Sequence, residues 1–541
     1  MRALVACWAL ATCWMAAAAC SPESLGLVPA PRSFVAGEGR FVQVVPNVPN
    51  RYDCWDFSLL DAGVAAVPVV ERSDAAVPAE GYVLSVTTGG VTVTASDAGG
   101  RIYARETLRQ LARVVSTNEV AFPCCEIRDS PRYRWRGVLL DEARHFLGKG
   151  VVKRMLGQMA AHKLNVLHWH LTDDQGWRVA IDRFPELVEY GAVRPRSVKF
   201  GAHATWLPPA RAMAYEKDTE RYGPFYYTAA DVREILDSAK ARNVAVVPEF
   251  DMPGHVRALL AAHPEFSCRG SALTREPRVN WSVEDDVICV GNPEAVAFVE
   301  QVFDEFCRLF PEAPYIHLGG DECPVTRWAA CPKCRAKMKA ENLSRPGELQ
   351  AWLTARITRR LAAQGRRALG WDEVLEGGVP AETAVMFWRS SKKTAPWVPA
   401  LERGHEVVLT PAAFCYIYQR QFASGDPYPY YQPWGKPLTL RKVYSFEPTD
   451  GVPAALRGGI LGGQASLWGE CIWNVFDLEW KTWPRTCALA EVLWSDPAQR
   501  DFASFMKRMR IHRRRLVSGG VNCAPLGDGD GHLEEEGGNE P

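Results

Sequence analysis

The sequence predicts a (β/α)8 barrel preceded by a small α+β domain. Three observations carry this. Eight short apolar segments recur between Trp135 and Trp468, most of them separated by amphipathic stretches. The chain before Trp135 has a different texture, rich in Val, Thr, Gly and Pro. No Gly-rich phosphate turn follows any of the apolar segments, which disfavours a doubly wound open sheet. The 541 residues leave room for such a pairing, at roughly 100–200 residues per domain. A content of 47% hydrophobic and 23% charged residues excludes wholesale disorder.

The first element is a leader. Residues 1–20 place one Arg before an apolar run from Ala3 to Ala19, followed by Cys20. That is the order of a secretory signal. Small residues before Cys20 resemble a bacterial lipobox, in which this cysteine is acylated and becomes the first residue, anchoring the protein to a membrane. Ala stands where Leu is usual, and plain cleavage after an A-x-A site is the alternative. The expected location is the periplasm or the outer-membrane surface.

Residues 21–131 read as the small domain. Tyr82–Val86 and Val91–Thr94 flank Gly89-Gly90 as a hairpin, and Arg101–Val114 has helical spacing. Asp129-Ser-Pro131 is a turn signal at its end. Residues 132–515 are assigned to the barrel. Its strands are expected at 137–141, 165–171, 244–251, 315–321, 368–372, 384–388, 406–411 and 460–468. Helices are expected at 151–162, 229–242 and 293–310, the last opened by Asn292-Pro293. The long connection 195–227 is expected to wall the mouth of the barrel. Residues 516–541 are expected to form a disordered tail.

Lys plus Arg and Asp plus Glu are each 63, so nothing marks the chain for nucleic acid or an anionic surface. Of 16 cysteines, three fall in the leader, leaving an odd number. In an oxidising compartment Cys268–Cys289 is the best disulfide pair. Cys331-Pro-Lys-Cys334, with Cys323 nearby, has the look of a zinc corner, but the sequence shows no fourth ligand, and a disulfide or simple buried thiols is the better reading.

Barrel chemistry sits at the C-terminal ends of the strands, and here those ends are polar or aromatic. They carry Arg144, His168, His170, Asp173, Asp174, Glu249, Asp251, His255, Asp321, Glu322, Trp371, Asp372, Glu373, Trp388, Trp468 and Glu470. So many charges are costly in an unpaired core. Carboxylates, an Arg and a ring of indoles suit a neutral, many-hydroxylated ligand, that is, a sugar. Two rivals share the residues: a sugar-binding barrel without catalysis, and a metallohydrolase using His168, His170, His255 and Asp321. The intact Asp321-Glu322 pair argues against the first. For the second, structural histidines are the simpler account.

Seven segments in order resemble family 20 of the glycoside hydrolases, the β-N-acetylhexosaminidases. They are LLDEARHF (139–146), NVLHWHLTDDQGWR (165–178), VVPEFDMPGH (246–255), IHLGGDECP (316–324), LGWDEVL (369–375), GGQASLWGE (462–470) and LAEVLWS (489–495). The resemblance covers roughly residues 30–515. It implies an exo-acting, retaining enzyme on glycans, with no cofactor and no catalytic metal. It makes Glu322 the general acid/base and Asp321 the carboxylate that orients the substrate's 2-acetamido group. Tyr416 would hydrogen-bond that acetamide, and Trp371, Trp388 and Trp434 would enclose it. Arg144 and Glu470 would hold the outer hydroxyls, Trp468 would stack on the sugar, and Asp173 with His255 would support the acid. The family usually places Asp or Asn two residues after the pocket Tyr, where this chain has Tyr418.

Residue chemistry supports a substrate-assisted route. Neighbours on a regular strand face opposite ways, so Asp321 and Glu322 would not flank one bond as nucleophile and acid. The acetamide oxygen would attack instead, giving an oxazoline, while a neighbouring carboxylate raises the pKa of Glu322.

Overall fold

A computed structural model describes residues 20–45, 64–116, 118–197, 221–389, 395–422 and 436–527, with Asp530 and His532. The small domain's sheet is built from β1 (Ser33–Val44), β2 (Val69–Ser73), β3 (Tyr82–Thr87), β4 (Gly90–Ala95), β5 (Arg113–Ser116) and β6 (Glu119–Asp129). Their order is β1-β6-β3-β4-β2, with β5 on β6, and β3–β4 is the expected hairpin. Helix Ala98–Leu111, capped by Asp97, buries Tyr103, Leu108 and Leu111 in the same core as Leu84, Val93 and Ile127.

The barrel strands are β7 (Trp135–Asp141), β8 (Val166–His170), β11 (Ala245–Glu249), β12 (Tyr315–His317), β13 (Arg367–Trp371), β14 (Ala384–Phe387), β15 (Val407–Leu409) and β16 (Ile460–Leu467). A two-residue ribbon, β9 (Thr172–Asp173) with β10 (Gly176–Trp177), follows β8. All eight barrel strands pair in parallel, in chain order, and β16 closes on β7. Each is apolar because it is covered on both faces, by the packed interior and by helices such as Lys149–Ala161, Ala229–Lys240 and Pro293–Leu309.

Two sequence expectations change. The strand drawn at 315–321 stops at His317, because Gly319 (φ 68°), Gly320 (φ 99°) and Glu322 (φ 45°) leave extended geometry. The tail expected from residue 516 begins inside helix Phe502–Ser518, and the chain then packs Val521, Cys523 and Ala524 into the body, Ala524 donating to the Trp483 carbonyl. The leader (1–19), most of the long connection (198–220) and residues 533–541 lie outside the described residues.

The two domains meet over buried charges. Asp129, at the end of β6, accepts hydrogen bonds from Lys163 Nζ (2.8 Å), Tyr82 Oη (2.9 Å) and Trp494 Nε1 (2.9 Å). Arg136 of β7, fully buried, reaches Glu80 of the small domain at 2.9 Å.

Candidate active site

The polar strand ends converge. Asp141 closes β7 by accepting from the backbone N–H groups of Ala143 and Arg144, and from that of Gly469 after β16 (2.8 Å). This seam sets Arg144 beside Glu470. The Arg144 guanidinium lies 5.1 Å from the Trp468 ring centre and bonds Asp141 (3.1 Å), Asp173 (2.7 Å) and Gln175 (3.0 Å). Burial works against its charge, but Asp173, Asp141 and Glu470 outweigh that and hold its pKa well above the ordinary value.

From Asp173 the charges alternate in sign. Its carboxylate lies 2.9 Å from His170 Nε2 and 3.4 Å from His255 Nδ1. Burial opposes ionisation, yet Arg144 and His255 pull its pKa far below the carboxylate range. His255 Nε2 in turn lies 3.8 Å from Asp321 and 3.6 Å from Glu322. Burial again opposes charge on His255, and Asp173 and Asp321 win, raising its pKa well above that of a free imidazole.

The two central carboxyls differ. Asp321, side chain 15% exposed, is pushed up to about 6 by burial and by Glu322, with His255 opposing. Its Oδ1 is buried and has no hydrogen-bond partner among the described residues. Glu322, 44% exposed, is held below the usual value chiefly by the neighbouring His255, whose Nε2 lies 3.6 Å away. This corrects the expectation that a neighbouring carboxylate raises the acid: the His255 imidazolium is the stronger neighbour. The strand-alternation argument also falls, since both residues sit on an irregular loop beyond β12.

An aromatic wall completes the ring. Trp371 and Trp468 ring centres are 5.8 Å apart, Trp468 and Tyr416 6.2 Å, and Tyr416 and Trp388 6.1 Å in a near-parallel stack. Trp371 Nε1 donates to Glu249 (2.9 Å) and Trp388 Nε1 to Glu373 (3.1 Å). Tyr418 is buried and feels the charges of Glu470, Arg144 and Glu322, so it stands at the Arg144–Glu470 side of the cleft. Glu470 Oε2 is a second buried oxygen without a hydrogen-bond partner among the described residues. The structure thus gathers Arg144, Asp173, His255, Asp321, Glu322, Trp371, Trp388, Tyr416, Trp468 and Glu470; Trp434 lies outside the described residues.

The histidines proposed for a metallohydrolase are divided among other partners. His168 Nδ1 accepts from Gln464 (3.0 Å) while its Nε2 faces Glu249 at 3.1 Å, and burial lowers its pKa to about 4. His170 bridges Glu249 and Asp173, and His317 Nδ1 lies 2.9 Å from Glu249. Glu249 therefore anchors three imidazoles and Trp371 beneath the cleft.

Three working residues had no role in the sequence reading. Glu249 is one. Asp251 is another, accepting from Gly320 N–H (3.1 Å) and so shaping the loop that presents Asp321. The third is Glu373, raised to about 8 by burial and by Asp321, which carries Trp388 as a neutral acid. All stood among the polar strand ends; their partners, not their identity, were hidden. The loop also gives a test. A Cβ on Gly319 would sit 1.6 Å from Asp251 Oδ1. Gly319→Ala must displace Asp251 or the loop, and an ångström-scale shift costs about 10²-fold in rate. Steady-state kcat/KM beside an unchanged circular dichroism spectrum checks this.

Comparison with known proteins agrees with the geometry. The model for "Glycosyl hydrolase family 20, catalytic domain" matches residues 133–497, and that for "Glycosyl hydrolase family 20, domain 2" matches 42–130. A β-hexosaminidase of Porphyromonas gingivalis is 37% identical over 82% of this chain, which spans 54% of that protein's length. One from Akkermansia muciniphila is 32% identical over 82% of this chain and 86% of its own. The crystal structure of an exo β-N-acetylglucosaminidase from Vibrio harveyi, in complex with N-acetylglucosamine, superposes with a TM-score of 0.80 at 31% identity. That match covers 93% of this chain and 78% of the other.

Proposed function

Because this chain belongs to glycosyl hydrolase family 20, and is a glycoside hydrolase acting on N-acetylhexosamine glycosides, we propose that it removes terminal β-linked N-acetylglucosamine or N-acetylgalactosamine from the non-reducing ends of glycans, with retention and through an oxazoline. The observation that carries the mechanism is the bare Oδ1 of Asp321, buried beside an aromatic enclosure. A buried acceptor without a partner is costly, and an amide N–H supplies the missing donor. The acetamide N–H bonds Asp321. The acetamide's carbonyl oxygen accepts from Tyr416 Oη, whose ring meets Trp468 edge-on. The methyl lies against Trp371 and Trp388.

Held so, the carbonyl oxygen attacks C1 as the glycosidic C1–O bond breaks, and the leaving oxygen takes a proton from Glu322, which draws it from the neighbouring His255. Substrate covering the half-exposed Glu322 excludes water and raises its proton affinity, moving that proton onto the carboxyl. Asp321, ionised, stabilises the positive charge that grows on the acetamide nitrogen. Water, deprotonated by Glu322, then opens the oxazoline at C1; two inversions give net retention. Glu470 Oε2 and Arg144 receive the outer hydroxyls, where Tyr418 brings a single uncharged hydroxyl in place of the family's usual Asp or Asn.

An activated fluoro-sugar substrate tests the chemistry. Retained configuration with no enzyme-bound sugar is expected; a glycosyl ester on Asp321 or Glu322, mapped by mass spectrometry, would falsify the assisted route. A panel of GlcNAc and GalNAc aryl glycosides is expected to show turnover of both.

The leader supports export with acylation of Cys20. The folded body begins at once after it: Ser21 caps the turn Pro22–Leu25, and Arg515 and Arg508 of the last helix bond the carbonyls of Leu25 and Leu27. Labelled palmitate is expected in the mature protein and absent from Cys20→Ala; equal labelling of the variant refutes the anchor.

A further inference from the structure

The expected Cys268–Cys289 disulfide is not what the structure builds. Both thiols are free, and they join Cys331 and Cys334 in one cluster that leaves Cys323 out. Cys268 and Cys334 sulfurs are 3.7 Å apart, Cys289 and Cys334 3.7 Å, and Cys289 and Cys331 3.8 Å. A disulfide bond is about 2.04 Å. Four sulfurs at about 2.3 Å from one zinc ion form a tetrahedron whose edges are about 3.8 Å. We propose that Cys268, Cys289, Cys331 and Cys334 hold a structural zinc ion that joins the loop following β11 to the loop following β12.

The backbone around the cluster is shaped for thiolates. The N–H of Asn292 turns back onto the Cys289 carbonyl (2.8 Å), which curls that stretch of chain tightly beside the sulfurs. Cys331 caps helix Pro332–Ala340 and Cys334 lies in its first turn, where the partial positive charge of the helix start favours anionic sulfur. Lys333 and Arg335 add cations in the same turn. Close approach of the loops is built in, since a Cβ on Gly291 would meet the Lys333 carbonyl carbon at 2.2 Å and Cys334 N at 2.3 Å. A bridge between Ser267 and Ile288 sets the remaining two cysteines side by side. Zinc binding would release the thiol protons and leave no open coordination position, so the ion does no chemistry on substrate.

Its place gives it a task. The first loop carries His255 and the second Glu322, which face each other at 3.6 Å in the cleft. Fastening residues 268 and 289 to 331 and 334 holds those two loops in one register. The metal reading stands on the sulfur geometry alone, so it survives or fails independently of the sugar chemistry.

The test is metal analysis and native mass spectrometry of the full chain, purified without added metal and treated with EDTA. One zinc per chain that resists EDTA, and is released when the cysteines are mercurated, is expected. Cys331→Ser and Cys268→Ser should each lose it and melt at lower temperature. Wild-type protein that takes up no zinc after reduction in zinc-containing buffer overturns the proposal. So does a mass short by four hydrogens, which means two disulfides, or iron in place of zinc.

Discussion

Glu322→Gln is expected to lose about 10²–10⁴-fold in kcat/KM on substrates with poor leaving groups, the usual weight of a positioned proton donor. The deficit should shrink to a small factor on aryl fluorides or dinitrophenyl glycosides, which depart without a proton. The pH profile should change with it. In the wild type His255, whose pKa is raised, loses its proton at high pH and can no longer supply Glu322, so activity falls on the alkaline side. With Gln at 322 that fall should vanish for activated substrates. A deficit equal for good and poor leaving groups would remove Glu322 from the acid's role.

Asp321→Asn is expected to lose about 10²–10³-fold whatever the leaving group, because it removes a charge that faces the cation formed in every assisted turnover. The sign of its pH dependence follows from its environment. Burial and Glu322 raise the Asp321 pKa to about 6, so the needed carboxylate is present above that pH and is protonated as pH falls through it. Wild-type kcat/KM should therefore drop below pH 6, and the Asn variant should lack that acidic limb. A thiazoline mimic of the cyclic intermediate should inhibit the wild type strongly and the variant weakly. An acidic limb that persists unchanged in Asp321→Asn would assign it to another group.

The barrel was legible because a strand covered on both faces must be a short apolar run, and eight such runs at barrel spacing leave few alternatives. The ends were legible for the complementary reason: charge clustered after apolar runs has no place in the core. What the pattern could not carry was the pairing across strands. Whether Glu322 is raised or lowered depends on His255, 67 positions away in the chain and 3.6 Å away in space. The same holds for the cysteines. CxxC was visible as one pair and Cys268 with Cys289 as another, but only the fold shows that the two pairs meet. Strand alternation misled at Asp321-Glu322 because two glycines in left-handed conformation end β12 early, and glycine alone does not announce where a strand stops.

The seam between the domains bears on how the molecule comes apart. Lys163 and Arg136 belong to the barrel, yet their counter-ions Asp129 and Glu80 belong to the small domain. Removing one member of a buried ion pair costs about 3–5 kcal/mol, comparable to a good part of the stability of a whole domain. A barrel cut free at residue 131 would carry both orphaned cations on a face also stripped of its apolar cover. Denaturant melts should then show one cooperative transition rather than two, and the small domain behaves less as an accessory module than as the barrel's missing floor.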